Sequence, residues 1–408
     1  MRYLKYLLLV IVAMFIVGCN RKEIKLEDDT WYVVDDSAIL MLCEKNDDKP
    51  FKDLMVKLKG NGDSVKEAIN ILNNMEQDVA VKNALGVGYL RLRMFEEADM
   101  KFREALKIAS SEDDKACILS NLVETMLCME DVKSAENYVE DALKLEVNDS
   151  LKDLVLQSNI EAMKLSHETE DYIRAIANIK ELIKKEKIIL GSNQFLGIFN
   201  YKMLAYACYY NNNMSRCEYY MNMAKKLNLK TFQYVDVDAY LYKSLARMYD
   251  DTMEGVDKAM DYINKDIDIL EKWQTPDHYD LMISHIIRGN LYANRSIPDR
   301  DSAIKDYQYV LDHCSPYNSL AATSYYGLAR VYVYSENATL ITESYAKAYY
   351  LWGLEDWNDL NEDIERELRA EYDRQNNGKE SYDIWFKQQI KKAERDLKVK
   401  WRFLKKSN

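Results

Sequence analysis

The side chains that could carry chemistry in this chain do not assemble into a reaction centre. His167, His278, His285 and His313 form no His-Glu-x-x-His pair, and none has a cysteine at zinc-ligand spacing. No metal site is expected, and no cofactor either: the sequence has no Gly-x-Ser-x-Gly elbow, Walker loop or dinucleotide glycine fingerprint. Carboxylate pairs such as Glu96-Glu97 and Asp113-Asp114 recur, but so many fall on helix surfaces that none stands out as an acid/base couple. With no catalytic residue to name, a non-enzymatic protein is expected. Binding chemistry remains. Lys243 and Arg247 are four residues apart, so on a helix the two cations project together despite their repulsion. Of 31 tyrosines, 23 fall between Tyr201 and Tyr350, most of them assignable to packing between helices.

One cysteine stands apart from the other six. Arg2 and Lys5 precede an apolar run from Tyr6 to Val17, closed by Gly18 and Cys19. The run is short for a bilayer span, and its charged start and small closing residue mark residues 1–18 as an export signal. Ile16-Val17-Gly18-Cys19 resembles the lipobox of bacterial lipoproteins. That resemblance implies cleavage before Cys19, lipid on its sulfur, and acylation, palmitate included, of the new amino end. Asn20 follows where the inner-membrane retention pattern has Asp, so the expected place is the outer membrane, on its periplasmic or surface face. No later stretch of about 18 apolar residues predicts a transmembrane helix. Residues 19–49 read as a tether and an irregular N-terminal cap, with Trp31-Tyr32-Val33-Val34 and Ile39-Leu40-Met41-Leu42 as its apolar parts.

The elements that must position any site are helices. Across 408 residues there are only 12 Gly and 4 Pro, too little punctuation for a sandwich, a barrel or a doubly wound sheet. The net charge of −12 argues against a nucleic-acid partner. Leu85, Gly86 and Tyr89 share one helical face; after a turn near Met94-Phe95, Ala98, Phe102 and Ala105 share the next. This pattern resembles the tetratricopeptide repeat at each main position before the closing Pro, which is Ser110 here. A small residue opens each second helix at Ala68, Ala98, Ala135, Ala175, Cys217, Ala259, Ala303 and Ala346, with steps of 30, 37, 40, 42, 42, 44 and 43. Ser64 and Glu67 read as the capping box of a degenerate first unit. The resemblance covers residues 50–355 and implies an all-α, right-handed solenoid of seven or eight helix hairpins. Cys208 and Cys217 face one another in one hairpin; a disulfide fits, but small buried residues are what those positions require, so reduced thiols are expected. Residues 356–408 then form capping helices. Tyr382, Trp385, Phe386, Ile390, Ala393, Leu397, Trp401 and Leu404 make a stripe expected to cover the last repeat, and the basic excess from Lys391 onward reads as a solvated face.

In tetratricopeptide solenoids the first helices of successive repeats line a concave groove. Taking Leu204, Ala205 and Cys208 as inward, the groove stripe is Lys202, Tyr206, Tyr209 and Tyr210. The same logic gives Lys243 and Arg247, then Asn290 and Asn294, then Tyr326, Arg330 and Tyr334. The earlier groove, with Asn83, Val87, Leu90, Cys117, Glu124 and Leu127, lacks this bias towards cations and aromatics. The family's Lys/Asn carboxylate clamp is matched only in part, by Lys243 and Arg247. The resemblance implies a lipid-anchored scaffold that gathers protein or peptide partners, acidic ones by charge. Two other functions use the same elements. A glycan-capture lipoprotein would need long Gly-, Pro- and Trp-containing loops, which this composition supplies poorly. A sensor of the envelope-regulator kind would need a transmembrane helix, a coiled coil and a DNA-binding domain that do not follow here, so signalling would require a second protein.

Overall fold

The computed structural model describes residues 31–35, 38–45, 49–167, 171–191, 194–231, 235–250, 255–316, 318–335, 337–354, 358–376 and 381–407. The export signal and Cys19 lie outside them. Helices follow one another in antiparallel pairs: α1 (Lys49–Leu58) with α2 (Gly62–Leu72), α3 (Val79–Arg91) with α4 (Phe95–Ile108), and α5 (Glu112–Cys128) with α6 (Val132–Ala142). Next come α7 (Ser150–His167) with α8 (Tyr172–Leu190), α9 (Phe195–Tyr210) with α10 (Met214–Thr231), and α11 (Val235–Asp250) with α12 (Val256–Trp273). The last are α13 (Tyr279–Asn294) with α14 (Arg300–His313), α15 (Ser319–Tyr332) with α16 (Ala338–Gly353), and the terminal α17 (Asn358–Asn376) and α18 (Tyr382–Ser407). Stacked side by side, the pairs make the right-handed, tetratricopeptide-like solenoid expected from the repeat. No helix among the described residues is long and apolar enough to cross a membrane.

Local chemistry explains the boundaries. Asp78, Ser111, Asp131, Asp171, Asp299, Asn318 and Asn337 each accept a hydrogen bond from a backbone N–H in the first turn of the following helix. The expected capping box of the first unit differs: Asn61, not Ser64, is the cap, accepting from the Ser64 N–H at 3.1 Å, while Glu67 pairs with Lys57 at 2.8 Å. Three short turns are closed by non-glycine residues in the left-handed region, Arg93 (φ 58), Glu130 (φ 61) and Asn212 (φ 55). All eight small residues are buried, none more than 6% exposed, but the expectation that each opens a second helix holds for six: Ala68 is the seventh residue of α2 and Ala346 the ninth of α16. At Gly86 an added Cβ would come within 2.5 Å of the Phe102 ring, so this helix pair approaches as closely as it does because the side chain is missing. Cys208 and Cys217 are free thiols.

Two departures shape the interior. First, the solenoid turns far enough to meet itself: the Gly62 N–H at the start of α2 donates to Gln274 Oε1 at 3.0 Å, and Lys66 lies 4.0 Å from Asp277. Second, residues 31–45 are not an irregular cap. β1 (Tyr32–Val34) and β2 (Ile39–Met41) form an antiparallel hairpin with Tyr32 opposite Met41 and Val34 opposite Ile39. This hairpin fills the concave side of the first repeats, where Ile39, Leu40, Met41 and Leu42 are completely buried. An apolar strand of that kind has no reason to stay at the end of a stack when a groove can remove it from water. At the other end, α18 packs on α16 rather than pairing regularly with α17. It buries Tyr382, Trp385, Ala393 and Leu397 of the expected stripe. Part of its basic surface is used internally, Lys392 pairing with Glu343 at 2.5 Å and Lys400 donating to the Leu311 carbonyl at 2.5 Å.

Candidate functional site

The groove of the first three full repeats is built from asparagines. Asn159 on α7 accepts from the Ile39 N–H at 3.0 Å and donates to the Ile39 carbonyl at 2.8 Å. Asn121 on α5 does the same for Met41, at 2.9 and 2.7 Å. Asn83 on α3 accepts from the Cys43 N–H at 2.9 Å. A side-chain amide carries one acceptor and a donor group, so it can stand in for the neighbouring strand that an extended residue requires. The residues between these rungs turn the other way, as β geometry demands: Leu42 N donates to the Trp31 carbonyl at 2.7 Å. The asparagines grip the main chain, while the side chains of Ile39 to Leu42 are buried in the core around them.

The hairpin turn is held by charge. Asp35 accepts from Arg93 at 3.0 Å; Arg93 also reaches Asp280 on α13 at 3.2 Å, and Lys243 on α11 reaches the other oxygen of Asp280 at 2.9 Å. All four side chains are at most 8% exposed. Burial alone would raise the Asp280 carboxyl, but Arg93 and Lys243 overcome it and hold the group well below the ordinary carboxylate range. The network ties hairpin, early turn and later helices into one closed interior. It also corrects one expectation: Lys243 is not a groove ligand awaiting an anion but a buried member of this ion cluster, and only Arg247 of that pair is exposed.

The other expected groove residues divide between two open cavities. Lys202, Tyr206, Tyr210 and Arg247 line one of about 220 Å³, over a floor that includes Leu165, Phe199 and Met203. Lys202 is itself buried, its ammonium 5.9 Å from the centre of the Tyr206 ring. Tyr209 packs edge-on against Tyr210. This cavity adjoins another at the hairpin end through Ala162 and Ser166, so the open groove continues where the strand stops. Asn294, Tyr326, Arg330 and Tyr334 line the second cavity of about 220 Å³, nearer the C-terminus. Asn290 belongs to packing, accepting from the Tyr307 hydroxyl at 2.7 Å.

Sequence reasoning placed Asn83 in the early groove but passed over Asn121 and Asn159 and the role of all three as rungs. The signal was present: Asn83, Asn121 and Asn159 recur at intervals of 38 and stand 15, 14 and 16 residues before Ala98, Ala135 and Ala175. By the same count Lys202, Lys243, Arg288 and Arg330 stand 15, 16, 15 and 16 residues before Cys217, Ala259, Ala303 and Ala346. Lys202 and Lys243 thus put a cation where the earlier repeats have an amide; Arg288 instead faces Asp306 and Asn264 on second helices, and Ala346 is the ninth residue of α16, so Arg288 and Arg330 do not continue the series.

Comparison with solved structures places the architecture. Over 82% of its length the chain resembles yeast Tom70 with a TM-score of 0.50 and 16% identity, and it spans 66% of that chain. A STAND protein from Pyrococcus horikoshii with a tetratricopeptide repeat sensor aligns over 79% of this chain and 52% of its own, at 17% identity and TM-score 0.46. An IFIT1 monomeric mutant solved with Gppp-AAAA aligns over 79% and 70%, at 14% identity and TM-score 0.49. At these identities the likeness concerns fold, and the fold is that of a tetratricopeptide-like helical solenoid. The sequence matches no family model and no curated protein.

Proposed function

We propose that this protein is a non-enzymatic scaffold that holds extended segments of partner proteins in its concave groove. The observation that carries the proposal is that the groove in which Asn83, Asn121 and Asn159 hold the extended main chain of Ile39–Cys43 continues, beyond that strand, into open cavities. Beyond the end of that strand, the cavity with Tyr206, Tyr210 and Arg247 offers an apolar floor and an exposed cation to a partner that continues along the same line. An acidic and aromatic segment fits it best. The lipobox-like Ile16-Val17-Gly18-Cys19 supports anchoring of this scaffold to a bacterial outer membrane through lipid on Cys19.

A photo-crosslinking residue placed at Tyr210 in the native host tests the scaffold. Protein adducts that disappear when Arg247 is changed to Ala are the expected result; no protein adduct at this position would sink the proposal. Metabolic labelling with a fatty acid tests the anchor separately, and label retained by Cys19→Ala would refute it.

A further inference from the structure

We propose that the cavity between α13, α14, α15, α16 and α17 binds a small zwitterion, an α-amino acid with an aromatic or large apolar side chain. This goes beyond the scaffold function and does not depend on the asparagine ladder. The cavity measures about 220 Å³, below the roughly 300–1,000 Å³ usual for drug-sized ligands, so its occupant is a compound of amino-acid size.

Its lining has opposite charges on different helices. Arg300 on α14 and Arg330 on α15 are both exposed, and neither has a carboxylate partner among the described residues. Each lies instead against a ring, Arg300 at 4.6 Å from the centre of Tyr334 and Arg330 at 5.9 Å from Tyr326, and Asn294 steadies Arg330 at 3.3 Å. Guanidinium groups held on aromatic faces keep their planar forks available to a carboxylate. Glu367 on α17 is the acidic group of the lining and has no cationic partner among the described residues. Tyr345 on α16 is only 3% exposed, and no hydrogen-bond partner is seen for its hydroxyl. Burial first, and then the Glu367 carboxylate, raise its ionisation above the ordinary tyrosine value, while Arg330 acts on it in the opposite sense. The hydroxyl of this largely buried ring lines the cavity within the electrostatic reach of both Glu367 and Arg330, so the two signs of charge meet in one slot. The carboxylate of an amino acid answers Arg300 and Arg330, its ammonium answers Glu367, and its side chain lies along the tyrosine rings. The C-terminus of a peptide supplies only the first of these groups.

Calorimetric titration of the full chain with L-phenylalanine, 3-phenylpropionate, phenethylamine and N-acetyl-L-phenylalanine distinguishes these ligands. Phenylalanine should bind, and each analogue that lacks one charge should bind at least tenfold more weakly. Arg330→Ala should weaken phenylalanine and phenylpropionate alike. Glu367→Gln should weaken phenylalanine at least tenfold while leaving phenylpropionate unchanged, which a merely misfolded variant could not do. The proposal is overturned if no amino acid among phenylalanine, tyrosine and leucine binds more tightly than about 10 mM, the limit of any useful recognition. It is equally overturned if N-acetyl-phenylalanine binds as well as phenylalanine and Glu367→Gln has no effect, because the cavity would then read a carboxylate alone.

Discussion

In the first repeats the groove position carries Asn83, Asn121 and Asn159; in two later ones it carries Lys202 and Lys243. Asn121 and Asn159 can be sealed from water because each exchanges two hydrogen bonds with a passing main chain, while Asn83 accepts one from Cys43; the result is a dry slot filled by the protein's own strand. A cation cannot be sealed so cheaply. Lys243 is buried against Asp280, and Lys202 is buried with its ammonium over the Tyr206 ring. Further along the chain Arg330 stays exposed at the rim of an open cavity. The same solenoid thus has a closed half, filled by its own strand, and an open half lined by cavities.

The harshest way to break the closed half is to remove its shared carboxylate. Asp280→Ala leaves Arg93 and Lys243 buried together without their common acid, and urea unfolding should show a loss of about 3–5 kcal/mol. Lys243→Ala belongs to the same class. A change below about 1 kcal/mol for Asp280→Ala would mean that the interior opens to water, since only hydration could then replace the lost partner. Next in size is Asn121→Ala, which leaves the Met41 N–H and carbonyl unpaired. It should cost about 2–3 kcal/mol and speed hydrogen exchange at residues 39–43, whereas Asn290→Ala, which removes one acceptor from Tyr307, should cost about 0.5–1.5 kcal/mol. Equal effects from the two would erase the distinction between rung and packing residue.

Glu186 sits at the junction of the halves, accepting from the Gly197 N–H at 2.8 Å where α9 begins. Burial pushes its carboxyl up to about 8, with the backbone hydrogen bonds acting the other way. The folded state therefore holds a proton that the unfolded state has lost, and stability should fall as pH rises from about 4.5 to 8. Glu186→Gln should flatten that slope, by up to about 1 kcal/mol per pH unit, in unfolding curves taken across the window. An unchanged slope would place the proton elsewhere. The smallest effect on stability belongs to the open half: Tyr210→Ala with Arg247→Ala should shift the unfolding free energy by no more than about 0.5 kcal/mol while abolishing partner capture.

What the sequence made legible follows from distance along the chain. Helix pairs are local, so the small residues from Ala68 to Ala346 and the stripe through Trp385 and Leu397 could be read from periodicity alone. The hairpin could not, because three-residue strands are too short to declare a period. An asparagine within an apolar helix reads as a solvated position until the strand that it serves is known. Lys243 was misplaced for a related reason: its acid, Asp280, lies 37 residues away on another repeat. Tyr206, Tyr210 and Arg247 line one cavity and Tyr326 and Arg330 another because their helices present them at its wall, a placement that follows from local helical spacing.

The rungs also impose an order in time. Cys43 meets Asn83 at a sequence separation of 40, Met41 meets Asn121 at 80, and Ile39 meets Asn159 at 120. The strand runs against the direction of the repeats, so each two-residue step along it reaches one repeat further down the chain. Solenoids usually grow by contacts between neighbours, and such growth is fast because few long loops must close. Here the segment made first has no complete seat until α7 has been made and folded. The hairpin is thus expected to dock last, locking three repeats that have already stacked, and the slowest folding phase should be the burial of Ile39 to Leu42 rather than the formation of any helix.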